Sequence, residues 1–282
     1  MQQKSKQEVF CLSLQYCPVL GKIDKSIAIV DKLLAKYEGN PIDFLILPEM
    51  ALTGYELTGK EMLEEVSETS SLGPQFTYFQ GLAKRLNCYV FAGYPEKCGT
   101  SYYNSMYCID REGHLIRNYR KTFLFDTDKP LYLPGDGFSS VNVVTLGGKS
   151  LKMAVAICMD INPWEFNDMS KFELADYCNK IEADGLIFCS NWCTLERTTS
   201  KETIGYWIYR MSPVIEEQEK QTLKANPKGQ SQKKFLFLCA NRTGVENQTL
   251  FVGSSCHISL PSEVHGFLDM KSTSGLYSII NL

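Results

Sequence analysis

The sequence predicts a single α/β domain built on mixed sheets, and three observations lead there. Short β-type runs alternate with stretches that are apolar at helical spacing. Antiparallel hairpin signals are interleaved among them, which a pure βαβ repeat would lack. Strands of the same kind also continue past the one stretch resembling a linker, so Ala225 to Lys234 reads as a flexible internal loop within a domain spanning residues 1–282. A core of that size needs no disulfide or metal staple.

Taken in order, Val9 to Leu14 reads as a strand. In Asp24 to Tyr37, Ile27, Val30, Leu33 and Leu34 share one helical face. Asp43 to Leu47 is a short buried strand stopped by Pro48. A second helix runs from about Pro74 to Leu86, with Phe76, Phe79, Leu82, Ala83 and Leu86 inward, and Cys88 to Gly93 follows as a strand. Tyr103 to Ile109, the turn Asp110-Arg111-Glu112-Gly113 and His114 to Tyr119 form a hairpin. Val141 to Thr145 and Leu151 to Ile157 flank the Gly147-Gly148 turn. A helix over about Lys171 to Ile181 precedes the strand Leu186 to Ser190. Thr198 to Leu223 is helical, kinked or divided by Pro213. Phe235 to Ala240 and Ser254 to Ser259 are the last clear strands, with a weaker one near Leu276 to Ile280.

Composition narrows the classes. Lys and Arg number 29 against 32 Asp and Glu, without the basic excess of a nucleic-acid binder. The only basic cluster, Lys224 to Lys234, reads as a solvated loop. No apolar stretch approaches the roughly 20 residues of a membrane span, and the N-terminus lacks a signal core. Eleven cysteines without a CxxC pair, several inside apolar runs, suit free thiols in a reducing compartment. A cytoplasmic or nucleocytoplasmic location is expected, and two glycosylation-type triplets at Asn241 and Asn247 are read as chance. Three scattered histidines and no glycine-rich phosphate loop lead us to expect neither metal nor organic cofactor.

Candidate chemistry lies at strand ends. Cys158 closes the apolar run Met153-Ala154-Val155-Ala156-Ile157 and is placed to face a cleft. A thiol needs a base. His114, His257 and His265 have no catalytic setting, whereas Glu49 follows the strand Phe44 to Leu47 and a proline. A glutamate in such apolar surroundings is costly unless used or paired. Lys121 also directly follows a predicted strand.

Leu47-Pro48-Glu49 with Thr53-Gly54-Tyr55, then Tyr119-Arg120-Lys121, then Ile157-Cys158-Met159-Asp160, at spacings of 72 and 37 residues, resemble the nitrilase (carbon–nitrogen hydrolase) superfamily. Gly93-Tyr94-Pro95, Tyr103-Asn104-Ser105, Pro134-Gly135-Asp136, Asn241-Arg242-Thr243-Gly244 and Phe251 to Ser255 extend the match. The resemblance implies an α–β–β–α four-layer sandwich in which three residues converge in one pocket. Cys158 is then the nucleophile, Glu49 the general base and acid, and Lys121 the oxyanion-stabilising cation. The family's second glutamate, which orients the lysine, falls here on Asp128, one methylene shorter.

Met159-Asp160 after the cysteine, rather than Trp-Glu, is closer to the amidase type, and the catalytic segments are most similar to the fungal-type N-terminal amidases. That resemblance implies deamidation of N-terminal Asn or Gln to Asp or Glu through a cysteine thioester, feeding the N-degron pathway, by a monomer or homodimer. Partners would be protein or peptide N-termini, with no nucleic acid or membrane. The substrate α-ammonium needs a carboxylate or carbonyl partner; Asp126, Asp160 and Glu165 lie near the catalytic segments. Asp160, Asn191 and Trp192 are the substrate-binding candidates. Two rivals stand beside this reading. One is a small-molecule ω-amidase or carbamoyl amidohydrolase, which would use Arg242 or Arg197 on a substrate carboxylate; the other is an inactive interaction protein of the same fold.

Overall fold

The computed structural model describes residues 7–57, 59–194, 198–225, 234–261 and 263–282. Of the internal loop expected at 225–234, residues 226–233 lie outside that range. The first half of the chain supplies β1 (Glu8–Gln15), β2 (Phe44–Ile46), β3 (Tyr89–Cys98), β4 (Ser101–Ile109) and β5 (Leu115–Arg120). The middle gives β6 (Ser139–Val144), β7 (Ser150–Ile157), β8 (Gly185–Ser190) and β9 (Cys193–Thr194). The remaining strands are β10 (Phe235–Asn241), β11 (Thr243–Glu246), β12 (Thr249–Val252), β13 (Cys256–Leu260), β14 (Glu263–Phe267) and β15 (Ser274–Asn281). Helices are α1 (Ile23–Leu34), α2 (Gly59–Val66), α3 (Pro74–Leu86), α4 (Glu173–Lys180), α5 (Ser200–Arg210) and α6 (Ser212–Ala225).

Two six-stranded mixed sheets, ordered β15-β1-β2-β3-β4-β5 and β14-β13-β10-β8-β7-β6, pack face to face. The period-two alternation of side chains sorts the layers. Val9 and Cys11, Phe91, Met106 and Cys108 point inward onto Val141, Val143, Met153, Val155, Ile157, Ile187 and Leu238 of the other sheet. Their neighbours Leu12, Leu14, Val90, Ala92 and Tyr107 face outward and are covered by α1 and α3 through Val30, Leu33, Phe76, Phe79 and Leu82. On the far side Ala154, Ala156, Leu186, Phe188 and Phe237 lie under Leu174, Ile204, Trp207, Met211 and Val214 of the α4–α6 region. Each such fully buried large side chain contributes about 1.5–3 kcal/mol, which makes the double sheet a rigid platform. Helix, sheet, sheet and helix stack as four layers of one domain.

Most elements fall where the pattern put them; α3 matches at both ends. The long helical segment is divided, with α5 ending at Arg210 and Pro213 inside the first turn of α6, where its missing N–H costs nothing. The weak terminal pattern is a full strand: β15 pairs with β1 from Glu8↔Asn281 to Gln15↔Ser274. The short elements α2, β9, β11, β12 and β14 carry too few apolar repeats to announce themselves. Among the described residues, no helix is long and apolar enough to cross a membrane.

Candidate active site

Parallel strands place their following loops on one edge of a sheet, and such edges build pockets. Here β2, β7 and β8 deliver Glu49, Cys158 and Asn191 just past their ends, and Lys121 directly follows β5.

Glu49 is fixed by backbone on both sides. Leu47 N–H donates to the Phe91 carbonyl at 2.8 Å, Gly93 N–H to that of Pro48 at 3.1 Å, and Ala51 N–H to that of Gly93 at 2.8 Å. The β3 backbone passes so close that a Cβ at Gly93 would lie 2.5 Å from Glu49 Cα, so only glycine fits there. The fully buried carboxylate accepts from Lys121 Nζ at 2.8 Å and Asn104 Nδ2 at 2.7 Å through Oε1, and from the Asn191 main-chain N–H at 2.7 Å through Oε2.

Lys121 is pinned in turn. Its N–H donates to the Asn104 carbonyl, and its own carbonyl accepts from Gly135 N–H, both at 2.8 Å. Its ammonium lies 2.6 Å from Asp128 Oδ2, which also accepts from Phe125 N–H at 3.0 Å. Tyr55 donates its hydroxyl to Asp128 Oδ1 at 3.0 Å. Two carboxylates thus share one ammonium away from water, an arrangement that persists only when every member is hydrogen-bonded.

Cys158 opens the turn after β7 at φ +44°, a left-handed conformation that costs a side-chain-bearing residue energy and is characteristic of functional turns. Its half-buried thiol faces a cavity of about 120 Å³ whose wall includes Tyr55, Phe125, Asn191, Trp192 and Cys193. Burial pushes the thiol well above its ordinary 9.0, the Glu49 charge adds to this, and Lys121 opposes it. Burial also raises Glu49 above 4.5; Lys121 pulls back and Asp128 pushes further up. For Lys121, burial favours the neutral amine, but Asp128 and Glu49 outweigh it and hold the ammonium charged. The resting site therefore keeps its thiol protonated beside a base of raised proton affinity. That pairing suits proton transfer when a substrate arrives.

Of the sequence-predicted residues, Glu49, Lys121 and Asp128 meet directly, while Cys158, Asn191 and Trp192 line the cavity. Asp160 is corrected from substrate contact to scaffold. Fully buried, it accepts from Ile157 N–H and Tyr119 hydroxyl through Oδ2, and from Thr122 and Phe123 N–H through Oδ1, all at 2.7–3.0 Å. It stitches the Cys158 turn to the segment after Lys121 and has no lone pair to spare. Asp126 and Glu165 both turn to Lys129, at 3.0 and 3.4 Å, outside the cavity wall. Arg242 is buried against Glu246 at 2.8 Å and over the Phe251 ring at 3.9 Å; Arg197 lies outside the described residues. Asn104 and Tyr55 lie in segments that resemble the family, and the sequence alone assigns neither a role. A polar side chain inside an apolar strand such as β4 is the signal that could have singled out Asn104, because burial demands partners for it. Asp110, Glu112 and His114, which group at metal-ligand distances, sit on the turn after β4, away from this cavity.

A family model described as carbon-nitrogen hydrolase matches residues 13–165. The protein N-terminal amidase of Schizosaccharomyces pombe (strain 972) is 30% identical over 284 residues, which cover 90% of this chain and 93% of that protein. The Saccharomyces cerevisiae protein of the same name is 30% identical over 217 residues, 68% of this chain and 47% of that one. A crystal structure of N-terminal amidase with Asn-Glu peptide superposes with a TM-score of 0.81 at 17% identity, covering 97% of both chains. Family match, a relative matched over nearly its whole length and four-layer architecture agree: the chain belongs to the carbon–nitrogen hydrolase family and is an amidohydrolase.

Proposed function

We propose that this enzyme is a protein N-terminal amidase, hydrolysing the side-chain amide of an N-terminal Asn or Gln to the acid plus ammonia. One observation carries the choice of substrate. Among the described residues the cavity wall holds no Lys or Arg, and the nearby Lys121 is already shared by two carboxylates. A dicarboxylic ω-amide would find no free counter-charge among those described wall residues. A substrate bearing an ammonium instead meets a cluster of formal charge −1. The volume, about 120 Å³ against the roughly 300–1,000 Å³ of usual ligand clefts, suits a single small terminal residue. The protein N-terminal amidase relatives support the same reading.

In the proposed reaction Glu49 takes the Cys158 proton as sulfur attacks the amide carbon. Lys121 and the N–H after Cys158 stabilise the developing oxyanion; fixed donors of this kind often supply the largest single effect. Glu49 passes its proton to the departing ammonia, leaving a thioester. It then activates the water that releases the acid and restores the thiol. Asp128 holds Lys121 charged and in place. The reaction would generate N-terminal Asp or Glu for the N-degron pathway, in the cytoplasm or nucleocytoplasm.

Mass spectrometry of Asn- and Gln-initiated peptides tests this: conversion raises the mass by about 1 Da as NH₂ is replaced by OH. Wild type should convert both and Cys158→Ala neither. Equal turnover of the N-acetylated peptide, or turnover of a free ω-amide alone, would return the chain to the small-molecule amidases.

A further inference from the structure

Asn191 is the anomaly of the cavity. It is 2% exposed, yet neither Oδ1 nor Nδ2 of its carboxamide has a hydrogen-bond partner among the described residues. Buried polar groups are nearly always paired, and an unpaired carboxamide on a residue that lines a cavity can take its partners from a bound substrate. The other amide of the wall, Asn162, is already used: Oδ1 accepts from Tyr206 hydroxyl at 2.6 Å, and Nδ2 donates to Met159 sulfur at 3.3 Å. The three acidic candidates for holding a substrate cation are committed elsewhere. Asp160 is saturated by four donors, and Asp126 and Glu165 pair with Lys129.

Resting on the amidase reading above, we propose that the Asn191 carboxamide reads the substrate's amino terminus, with Oδ1 accepting from the α-ammonium and Nδ2 donating to the carbonyl of the first peptide bond. The chemistry is complementary. An amino-terminal residue offers a donor and an acceptor across one Cα, and a carboxamide offers an acceptor and a donor across one carbon. The root of this side chain is fixed relative to the reaction, because its own N–H holds Glu49 Oε2 at 2.7 Å. In a bound asparagine the α-nitrogen is three bonds from the carbon that Cys158 attacks, so both ends of that residue share the cavity. The formal −1 of Glu49, Lys121 and Asp128 supplies the long-range attraction, and the neutral amide supplies direction without a second buried anion. Acetylation would remove the charge and two of the three ammonium protons.

The test compares an Asn-initiated peptide with its desamino counterpart, in which a succinamoyl group keeps the reacting amide and lacks the α-ammonium. Wild type should prefer the first by on the order of 100-fold in kcat/KM, since a site built to bond a polar group rejects the analogue lacking it. Asn191→Leu should collapse that preference to within about 3-fold, through a rise of KM on the Asn peptide that is much larger than any change on the desamino peptide. Asn191→Asp, which keeps an acceptor oxygen, should retain the preference and covers the case in which the leucine variant fails to fold. An undiminished preference in Asn191→Leu, or an equal loss on both substrates, overturns the assignment. A wild type inactive on both Asn- and Gln-initiated peptides instead removes the amidase reading, and the assignment with it.

Discussion

The ammonium of Lys121 lies closer to Asp128, at 2.6 Å, than to Glu49, at 2.8 Å. The sequence resemblance implies a glutamate where this chain has Asp128, and here the shorter side chain reaches the lysine from a tight turn. Asp128 N–H donates to the Phe125 carbonyl at 2.9 Å, and Phe125 N–H returns to the Asp128 carboxylate at 3.0 Å, so a tight turn brings the shorter side chain up to the lysine. Asp128→Asn should lower kcat by about 100-fold or more, as loss of a preorganised electrostatic element does. It should also cost about 3–5 kcal/mol, because it breaks a buried ionic group. Asp128→Glu should not rescue: the added methylene enters a space closed by Tyr55, Asn104 and Phe125, at a cost of about 1–3 kcal/mol. Steady-state kinetics and denaturant melts check both variants.

Gly93→Ala places a methyl 2.5 Å from Glu49 Cα and 2.6 Å from Met50 N. Both obstacles are backbone, so no rotamer relieves them and the Glu49 loop must shift. A displacement near 1 Å costs about 100-fold in rate. We expect activity to fall by at least that factor while Cys158 stays open to alkylation, measured by ammonia release alongside iodoacetamide labelling.

The pH profile carries a sign. Glu49 accepts a proton only as the carboxylate, and burial has raised its pKa above 4.5. The acid limb of kcat/KM should therefore have its midpoint above the range of an ordinary carboxylate, rising with pH as Glu49 ionises. Glu49→Gln should leave only a pH-flat background. A wild-type midpoint at or below 4.5 would remove Glu49 as the base.

His257 gives a stability test remote from catalysis. It is fully buried between Ser13, at 2.8 Å from Nε2, and Ser278, at 3.0 Å from Nδ1, and burial lowers its pKa from 6.5 to about 3. Between those values the unfolded chain takes up a proton that the folded chain refuses. The contribution is thus fully present above 6.5 and is lost as pH falls towards 3. By pH 4 wild type should have lost about 3 kcal/mol more than His257→Gln, relative to each protein's own stability at pH 7. Urea unfolding at the two pH values measures it.

Much of this was legible in the sequence because it is local. Short apolar, β-type runs located most strands of both sheets, and the period of α3 was clear enough to mark both of its ends. Glu49, Lys121 and Cys158 could be found because each lies at or just past a strand end and because their segments, in that order and spacing, resemble the nitrilase superfamily. What stayed hidden depends on partners distant in the chain. Asp160 looked like a pocket residue beside Cys158, but its lone pairs are consumed by Tyr119, Ile157, Thr122 and Phe123, a fact that only folding creates. Arg242 looked like an available cation, yet Glu246, four residues on, neutralises it in the β11–β12 hairpin, whose short strands carry little pattern. β15 was faint because it is an edge strand whose alternation is diluted by exposed and polar positions.

The two oxygens of Glu49 are held from opposite leaves of the molecule: Lys121 and Asn104 belong to one, and the Asn191 backbone to the other. Competence is therefore a property of the seam. Any slippage between the leaves would disarm the base while each leaf kept its own ladder intact. Turnover should then act as a gauge of their alignment, failing on gentle warming before circular dichroism registers any melting.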